Sequence, residues 1–382
     1  MDRIATALIG CGKVGMTHAL ALSALPQSRL VAVCDADAAR AESFAAKFGC
    51  KAYSDPEAML ASGEVRMVSI CTPHPLHAPY AVMAAQAGVH ALVEKPLAAS
   101  LRDCDLAIGA HRAAGTRLGL VSQRRFYPGT QRIWRAIQDG KLGQPILGIL
   151  TVQGWRSESY YQMDPWRGKW DTEGGGVLVN QTPHQLDILQ WLMGPIEELY
   201  GYWDNFNHPF VEVEDTAIAV IRFKSGAVGN IVVSNSQNPG LYGRVQIHGS
   251  NGASVGVQTD GGNIFISGVS TNVDPPINYL WNVAGEEHLL EQWQAEDRAL
   301  GARVDVMNYF HERQIEEFLQ ALQAGREPMV TGEQGRVSVE IFTAIYRSQR
   351  DHLPIKFPVA AEDSHGDYDG RLSKALYSRA RQ

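Results

Sequence analysis

The first third of the chain alternates short apolar runs with longer amphipathic or alanine-rich stretches. Ile4–Ile9, Leu30–Cys34, Met67–Cys71, Ala91–Val93 and Leu118–Val121 are the apolar runs, of a length suited to buried strands. Between them, Val14–Ala24, Ala38–Phe48, His77–Ala87 and Leu101–Ala114 read as helices. Parallel strands need crossover connections, usually helical, so this repetition predicts an α/β domain built on a doubly wound parallel sheet.

The pattern then changes. Thr216–Phe223 and Ala227–Ser234 flank Lys224-Ser225-Gly226 and predict a β-hairpin. Val245–His248, Val255–Gln258 and Ile264–Ser267 follow as strands, separated by the turn-forming Ser250-Asn251-Gly252 and Asp260-Gly261-Gly262. Ile315, Phe318, Leu319 and Leu322 mark one face of a helix, and Val337, Ile341, Ala344 and Ile345 mark another helix after Thr331 as N-cap. Consecutive strands with segregated helices predict an α+β domain around a largely antiparallel sheet. Composition places the boundary. All eight tryptophans lie beyond residue 133, all five cysteines lie within the first 104 residues, and Gln123–Pro128 interrupts the pattern. The expected division is 1–125, 126–360 and a polar tail from 361 to 382.

The 382 residues carry a net charge of −7, with no basic stripe for nucleic acid. No apolar run approaches the ~20 residues of a membrane helix, and the N-terminus lacks the pattern of a signal peptide. The cysteines are odd in number and form no Cys-x-x-Cys, which argues against a disulfide framework or a thiolate zinc site and for a reducing cytoplasm. His74 and His77 form no convincing metal pair, so no metal is expected.

Gly10-Cys11-Gly12-Lys13-Val14-Gly15 is a G-x-G-x-x-G between a predicted strand and a predicted helix, the context that motif requires. Gly10 permits the tight turn, Gly12 lets backbone approach a pyrophosphate, and Gly15 lets the helix pack against the strand. Lys13 and Val14 open the helix whose N-terminus would face the phosphates. Asp35 ends the second strand, twenty residues after Gly15, where a carboxylate accepts from ribose hydroxyls and repels a 2′-phosphate. NAD is therefore favoured over NADP, with Asp37 as a nearby rival for the role.

With Glu94-Lys95-Pro96 added, the whole chain resembles the Gfo/Idh/MocA oxidoreductases, the group that includes inositol dehydrogenases and glucose–fructose oxidoreductase. The resemblance is carried by the glycine loop, Cys71-Thr72-Pro73-His74-Pro75-Leu76-His77, Glu94-Lys95-Pro96, Gly174-Gly175-Gly176 and His184-Gln185-Leu186-Asp187, in this order. It implies a Rossmann domain plus a larger domain with an open mixed sheet, and a homodimer or homotetramer built on that sheet. It makes Lys95 and His184 the catalytic pair and places Thr72, Pro73, His74, His77 and Glu94 with Lys95 around the cofactor. Many members carry Asp four residues before the histidine, where this chain has Asn180, a variant similar to that of sugar and nucleotide-sugar oxidising relatives.

The residue chemistry agrees. Oxidising a secondary alcohol requires a group to accept its proton and a charge to stabilise the developing alkoxide, roles suited to His184 and Lys95. Thr182-Pro183 reads as N-cap and first helical residue, placing His184 where the helix dipole favours the neutral imidazole of a general base. Asp187, on the same helical face, is expected to accept from a substrate hydroxyl, and Asn180 to orient His184 or touch substrate. Trp155-Arg156, Tyr160-Tyr161 and Trp166–Trp170 suit a sugar, with Tyr161 and Arg167 as contacts, though an aromatic core or oligomer interface would use the same residues. The expected function is NAD-dependent oxidation of a ring secondary hydroxyl of a sugar, glycoside or cyclitol to a ketone. The rivals are an NAD-dependent glycosidase using transient oxidation and elimination, and a non-catalytic NAD-sensing protein.

Overall fold

The computed structural model of the chain describes residues 3–260, 275–364 and 366–367. The chain divides into two compact units, Met1–Gln123 with Met307–Arg336, and Arg124–Val306 with Val337–Gln382.

The first unit holds strands β1 (Ile4–Ile9), β2 (Ser28–Cys34), β3 (Lys51–Tyr53), β4 (Met67–Ile70), β5 (His90–Val93) and β6 (Leu118–Leu120). They form one parallel sheet in the order β3-β2-β1-β4-β5-β6. The helices are α1 (Lys13–Ala24), α2 (Ala38–Phe48), α3 (Pro56–Ala61), α4 (His77–Gln86) and α5 (Leu101–Ala114). This is the doubly wound sheet the sequence predicts. Strand β3 escaped that reading because it is three residues long and mostly exposed. Helix α3 did carry a readable start, Asp55 as N-cap before Pro56.

The second unit is built on β7 (Pro145–Gln153), β8 (Ile196–Asp204), β9 (Thr216–Phe223), β10 (Val228–Ser234), β11 (Gly243–Gly249), β12 (Ser254–Asp260), β13 (Ile277–Asn282) and β14 (Ile355–Lys356). The order is β13-β12-β11-β7-β10-β9-β8-β14, with β7 and β10 parallel and the other pairs antiparallel. The β9–β10 hairpin is present as read. The strand expected at Ile264–Ser267, its preceding turn beyond Asp260 and most of the tail lie outside the described residues. Helices α6 (Pro128–Gln138), α7 (Glu158–Gln162), α8 (Pro183–Met193) and α9 (Leu289–Gly301) accompany the sheet. Gly148 of β7 seats α8, because a Cβ there would lie 2.8 Å from both Leu189 and Met193.

Helices α10 (Val306–Gln323) and α11 (Gly332–Asp351) complete the chain. The sequence places both in the second domain, but residues 307–336 belong to the first unit. Ile315, Phe318 and Leu319 of α10 join Leu22, Leu25, Met67, Leu92 and Val121 in one buried apolar cluster. Gly119 makes room, since a Cβ there would meet the Phe318 ring at 2.7 Å. Gln314 completes the fit, accepting from Ser122 N (2.8 Å) and donating to Leu120 O (2.7 Å). An apolar stripe shows that a helix buries one face but not which sheet receives it.

Candidate active site

In the first unit, the chain leaves β1 through Gly10, whose φ of 99° and whose approach to Cys71 both exclude a side chain. A Cβ there would sit 2.5 Å from Cys71 O, and one on Gly15 would sit 2.0 Å from Gly10 O. Gly12 differs, because its Cβ position has nothing within 4 Å. Asp35, at the end of β2, accepts from Cys11 N (2.8 Å) and Asp37 N (2.9 Å), and Arg40 lies 3.5 Å from its carboxylate. Asp37 is spent on capping α2 through Arg40 N (3.2 Å), so Asp35 is the carboxylate tied to the glycine loop. Lys13 is exposed and Val14 half-buried at the start of α1. In the loop after β4, Pro73 is exposed and His74 buried. The Thr72 hydroxyl is buried without a hydrogen-bond partner among the described residues. An open backbone cradle at Gly12, a carboxylate beside it and an orphaned hydroxyl next to Gly10 fit a dinucleotide.

Glu94 and His77, both expected at the cofactor, are turned into the protein. His77 is fully buried, with Nδ1 2.6 Å from Pro96 O and Nε2 2.8 Å from Thr72 O. Glu94 Oε2 accepts from Lys95 N (3.0 Å), while Oε1 lies 3.0 Å from His18 Nε2 and 3.5 Å from His311 Nε2. Burial alone would raise the Glu94 carboxyl, but the bonds from His18 and His311 outweigh it and hold it well below the usual carboxylate range. Burial lowers His18. Both residues thus support the loops that carry Thr72 and Lys95. Lys95 follows β5, at the carboxyl end of a parallel strand, where ligands of such sheets bind.

In the second unit, the glycine triplet turns under Glu214. Gly174 has φ of 87°, and a Cβ on Gly176 would sit 1.8 Å from Glu214 O. The buried Glu214 carboxylate accepts from Gly176 N (2.8 Å), Leu178 N (3.0 Å) and Tyr346 OH (2.9 Å). Burial pushes its pKa up to about 7 against these donors. Val177–Gln181 then form a π-helical turn leading into α8. Thr182 does hold the N-cap position, but its hydroxyl donates backwards to Leu178 O (3.0 Å) rather than capping α8, because its backbone is already helical. His184 sits in the first turn of α8, buried.

Asp187, expected to accept from a substrate hydroxyl, is bound by a cation of its own unit. Arg125 grips it, Nε to Oδ2 at 2.7 Å and Nη2 to Oδ1 at 2.5 Å, with both side chains buried. The Arg125 guanidinium also lies 4.9 Å from the Trp191 ring centre. The sequence reading used Arg125 only as part of a boundary segment. No local signal couples it to a residue sixty positions away.

Asn180 donates to Glu173 Oε1 and to Tyr160 OH (3.3 Å). Glu173 Oε2 accepts from Gly168 N (2.5 Å). Arg167 donates to the same Tyr160 hydroxyl and to Asp164 (3.0 Å), and lies 4.5 Å from the ring centres of both Tyr160 and Trp166. Gln181 reaches Tyr160 OH (3.2 Å) as well. Tyr160 therefore joins Arg167 to Asn180, while the buried Tyr161 bonds Asn235 (3.4 Å) and packs on His208 and Phe210. Trp170 belongs to the core with Trp203 and Tyr346. Sequence reasoning missed Glu173, whose one signal was an acid directly before the glycine triplet.

A dinucleotide cradle on a parallel sheet, with a lysine at the end of a neighbouring strand, defines an NAD(P)-dependent oxidoreductase acting on CH–OH groups. Residues 4–121 match the oxidoreductase family with NAD-binding Rossmann fold, and residues 130–255 match the GFO/IDH/MocA C-terminal domain. The chain belongs to the Gfo/Idh/MocA family. The scyllo-inositol 2-dehydrogenase (NAD(+)) of Bacillus subtilis is 26% identical over 94% of this chain and 97% of that enzyme. The D-glucoside 3-dehydrogenase of Escherichia coli is 25% identical over 90% of this chain and 94% of that enzyme. The WlbA dehydrogenase of Bordetella pertussis, solved with NADH and UDP-GlcNAcA, is 30% identical over 94% of this chain and 99% of its own, with a TM-score of 0.82. Among the described residues no helix is long and apolar enough to cross a membrane.

Proposed function

We propose that the chain is an NAD-dependent dehydrogenase that reversibly oxidises a ring secondary hydroxyl of a sugar, glycoside or cyclitol to a ketone. The observation that carries this reading is the pair of charge-handling residues on fixed elements, Lys95 after β5 and His184 in the first turn of α8. Bound NAD supplies the hydride acceptor. As the C–H electron pair leaves, the Lys95 ammonium stabilises charge on the alcohol oxygen. His184 takes the hydroxyl proton and returns it in the reverse direction. Asn180 and Arg167, joined through Tyr160, are the substrate contacts in this reading, and Asp187 with Arg125 holds α8 in place. The likeness to the WlbA enzyme, together with Asn180 in place of Asp, favours a nucleotide sugar within this class. Asp35 favours NAD over NADP.

Two further readings belong to the same proposal. Ile218 and Val220 of β9 and Tyr202 of β8 are exposed on one face of the large sheet, with Tyr202 directly opposite Ile218. An apolar sheet face of this kind supports self-association into a homodimer or homotetramer. Five free cysteines, none of them exposed, fit a reducing cytoplasm.

The test is NADH absorbance with UDP-sugars, glycosides and inositols, run with NAD and NADP in parallel. Steady NAD reduction with one class is expected. Lys95→Ala and His184→Ala should each lower kcat by about 10²–10⁴ while NAD affinity stays within about threefold. Wild-type turnover in both variants would overturn the assignment. Substrate cleavage without net NADH would point to the glycosidase.

A further inference from the structure

We propose that His18 and His311 are positioning residues for Lys95, acting through the Glu94 carboxylate. The inference rests on the reading of Lys95 as the charge that stabilises the alcohol oxygen.

A lysine side chain has four rotatable bonds, so its ammonium is only as well placed as the backbone that carries it. Here that backbone is held on both sides. Glu94 Oε2 accepts the Lys95 N–H at 3.0 Å, and His77 meets Pro96 O at 2.6 Å. The Glu94 carboxylate would swing about its own torsions without further anchors. Its other oxygen provides them, at 3.0 Å from His18 Nε2 and 3.5 Å from His311 Nε2.

Each histidine is itself oriented from behind. His18 Nδ1 lies 2.5 Å from Ser69 Oγ on β4. His311 Nδ1 lies 2.7 Å from Met307 O, so with Glu94 at Nε2 both of its ring nitrogens face oxygen acceptors. The two rings meet edge to face, 5.6 Å between centres. All three side chains are buried, so removing one partner leaves polar atoms without water to replace it, which is what makes the arrangement stiff. His18 belongs to α1, the helix opened by the glycine loop, and His311 to α10, the helix returning from the far end of the chain. One carboxylate thereby ties the dinucleotide helix and the returning helix to the peptide of Lys95.

The same three side chains place possible ligand atoms within 4.8 Å of one another, a His₂Glu set of the kind zinc accepts. The direct hydrogen bonds already made by both Glu94 oxygens favour the positioning role, and the experiment includes the metal as an outcome.

The full chain is prepared with His311→Leu, His311→Gln, Lys95→Ala and the Lys95→Ala/His311→Leu pair. Competitive acetylation with acetic anhydride, read by peptide mass spectrometry, gives the reactivity of Lys95 relative to the exposed Lys224. His311→Leu should change that ratio at least threefold and lower kcat about tenfold, with the KM for NAD nearly unchanged. His311→Gln, which keeps an N–H donor, should restore both to within about twofold. In the Lys95→Ala background, His311→Leu should cost no further kcat. An unchanged Lys95 ratio in His311→Leu, or additive losses in the pair, would overturn the proposal. So would stoichiometric zinc in the wild type that His311→Leu removes. If His311→Leu does not fold, His311→Asn, too short to reach Glu94, takes its place. Absent wild-type turnover, or full turnover in Lys95→Ala, would remove the functional reading, while the labelling ratio would still judge the positioning.

Discussion

The two units place their functional groups by different means. In the first, the backbone does most of the shaping. Gly10, Gly12 and Gly15 define the turn, and Asp35 is bonded to loop N–H groups. In the second, side chains placed far apart in sequence hold one another, as Arg125 holds Asp187, Glu173 holds Asn180, and Glu214 holds the glycine triplet. A backbone-built site tolerates much change around it but almost none where the backbone itself fills the space, as at Gly10 and Gly15. A site built from side-chain pairs fails when either partner is lost, because the survivor is left buried and unsatisfied.

The sharpest test of this contrast is Arg125→Met. It takes the guanidinium away from a buried carboxylate and should cost about 3–5 kcal/mol in urea unfolding. Adding Asp187→Leu should recover most of that loss, and a single-variant cost below about 1 kcal/mol would break the comparison. Next comes Asn180→Asp. This change removes the donor to Glu173 and sets two carboxylates together. A drop in kcat/KM of at least about tenfold, worth about 1.4 kcal/mol, is expected at pH 8. The deficit should shrink towards pH 6, as one of the paired acids takes up a proton. A variant with unchanged kcat/KM at both pH values would show that Glu173 does not govern Asn180. The smallest effect on stability belongs to Gly12→Ala. Its Cβ enters open space at φ −84°, so the unfolding free energy should stay within about 0.5 kcal/mol. The same methyl occupies the cradle, and NAD titration should show severalfold weaker binding. Unchanged affinity would mean that the pyrophosphate does not pass over Gly12.

The same division decides what the sequence reveals. The glycine loop, β1, β2 and α2 are set by neighbours within a few residues, and their residue types announce them. Strands β7 and β8 are hard to read because Gly148 and Gly201 interrupt their alternation, and β13 because the buried Asn278 takes an apolar place, so only the sheet makes sense of them. Within the site, Asp35 could be found by spacing. Asp187 could be found too, but its role could not, because that depends on Arg125 arriving from another segment. His311 lay beyond reach for the same reason, since nothing in the pattern of α10 says that one of its histidines faces Glu94.

The return of residues 307–336 to the first unit also governs how the chain must be made. The six strands of the parallel sheet have all been synthesised by Leu120, yet Phe318 and its neighbours, which finish one of its faces, come some two hundred residues later. At the usual 5–20 residues per second, a ribosome needs roughly ten to forty seconds to bridge Gln123 and Arg336. Through that interval Leu22, Leu92 and Val121 lack their final cover. A fragment ending near Gln123 would keep the α1 side chains of that apolar cluster and lack those of α10, leaving the cluster partly open.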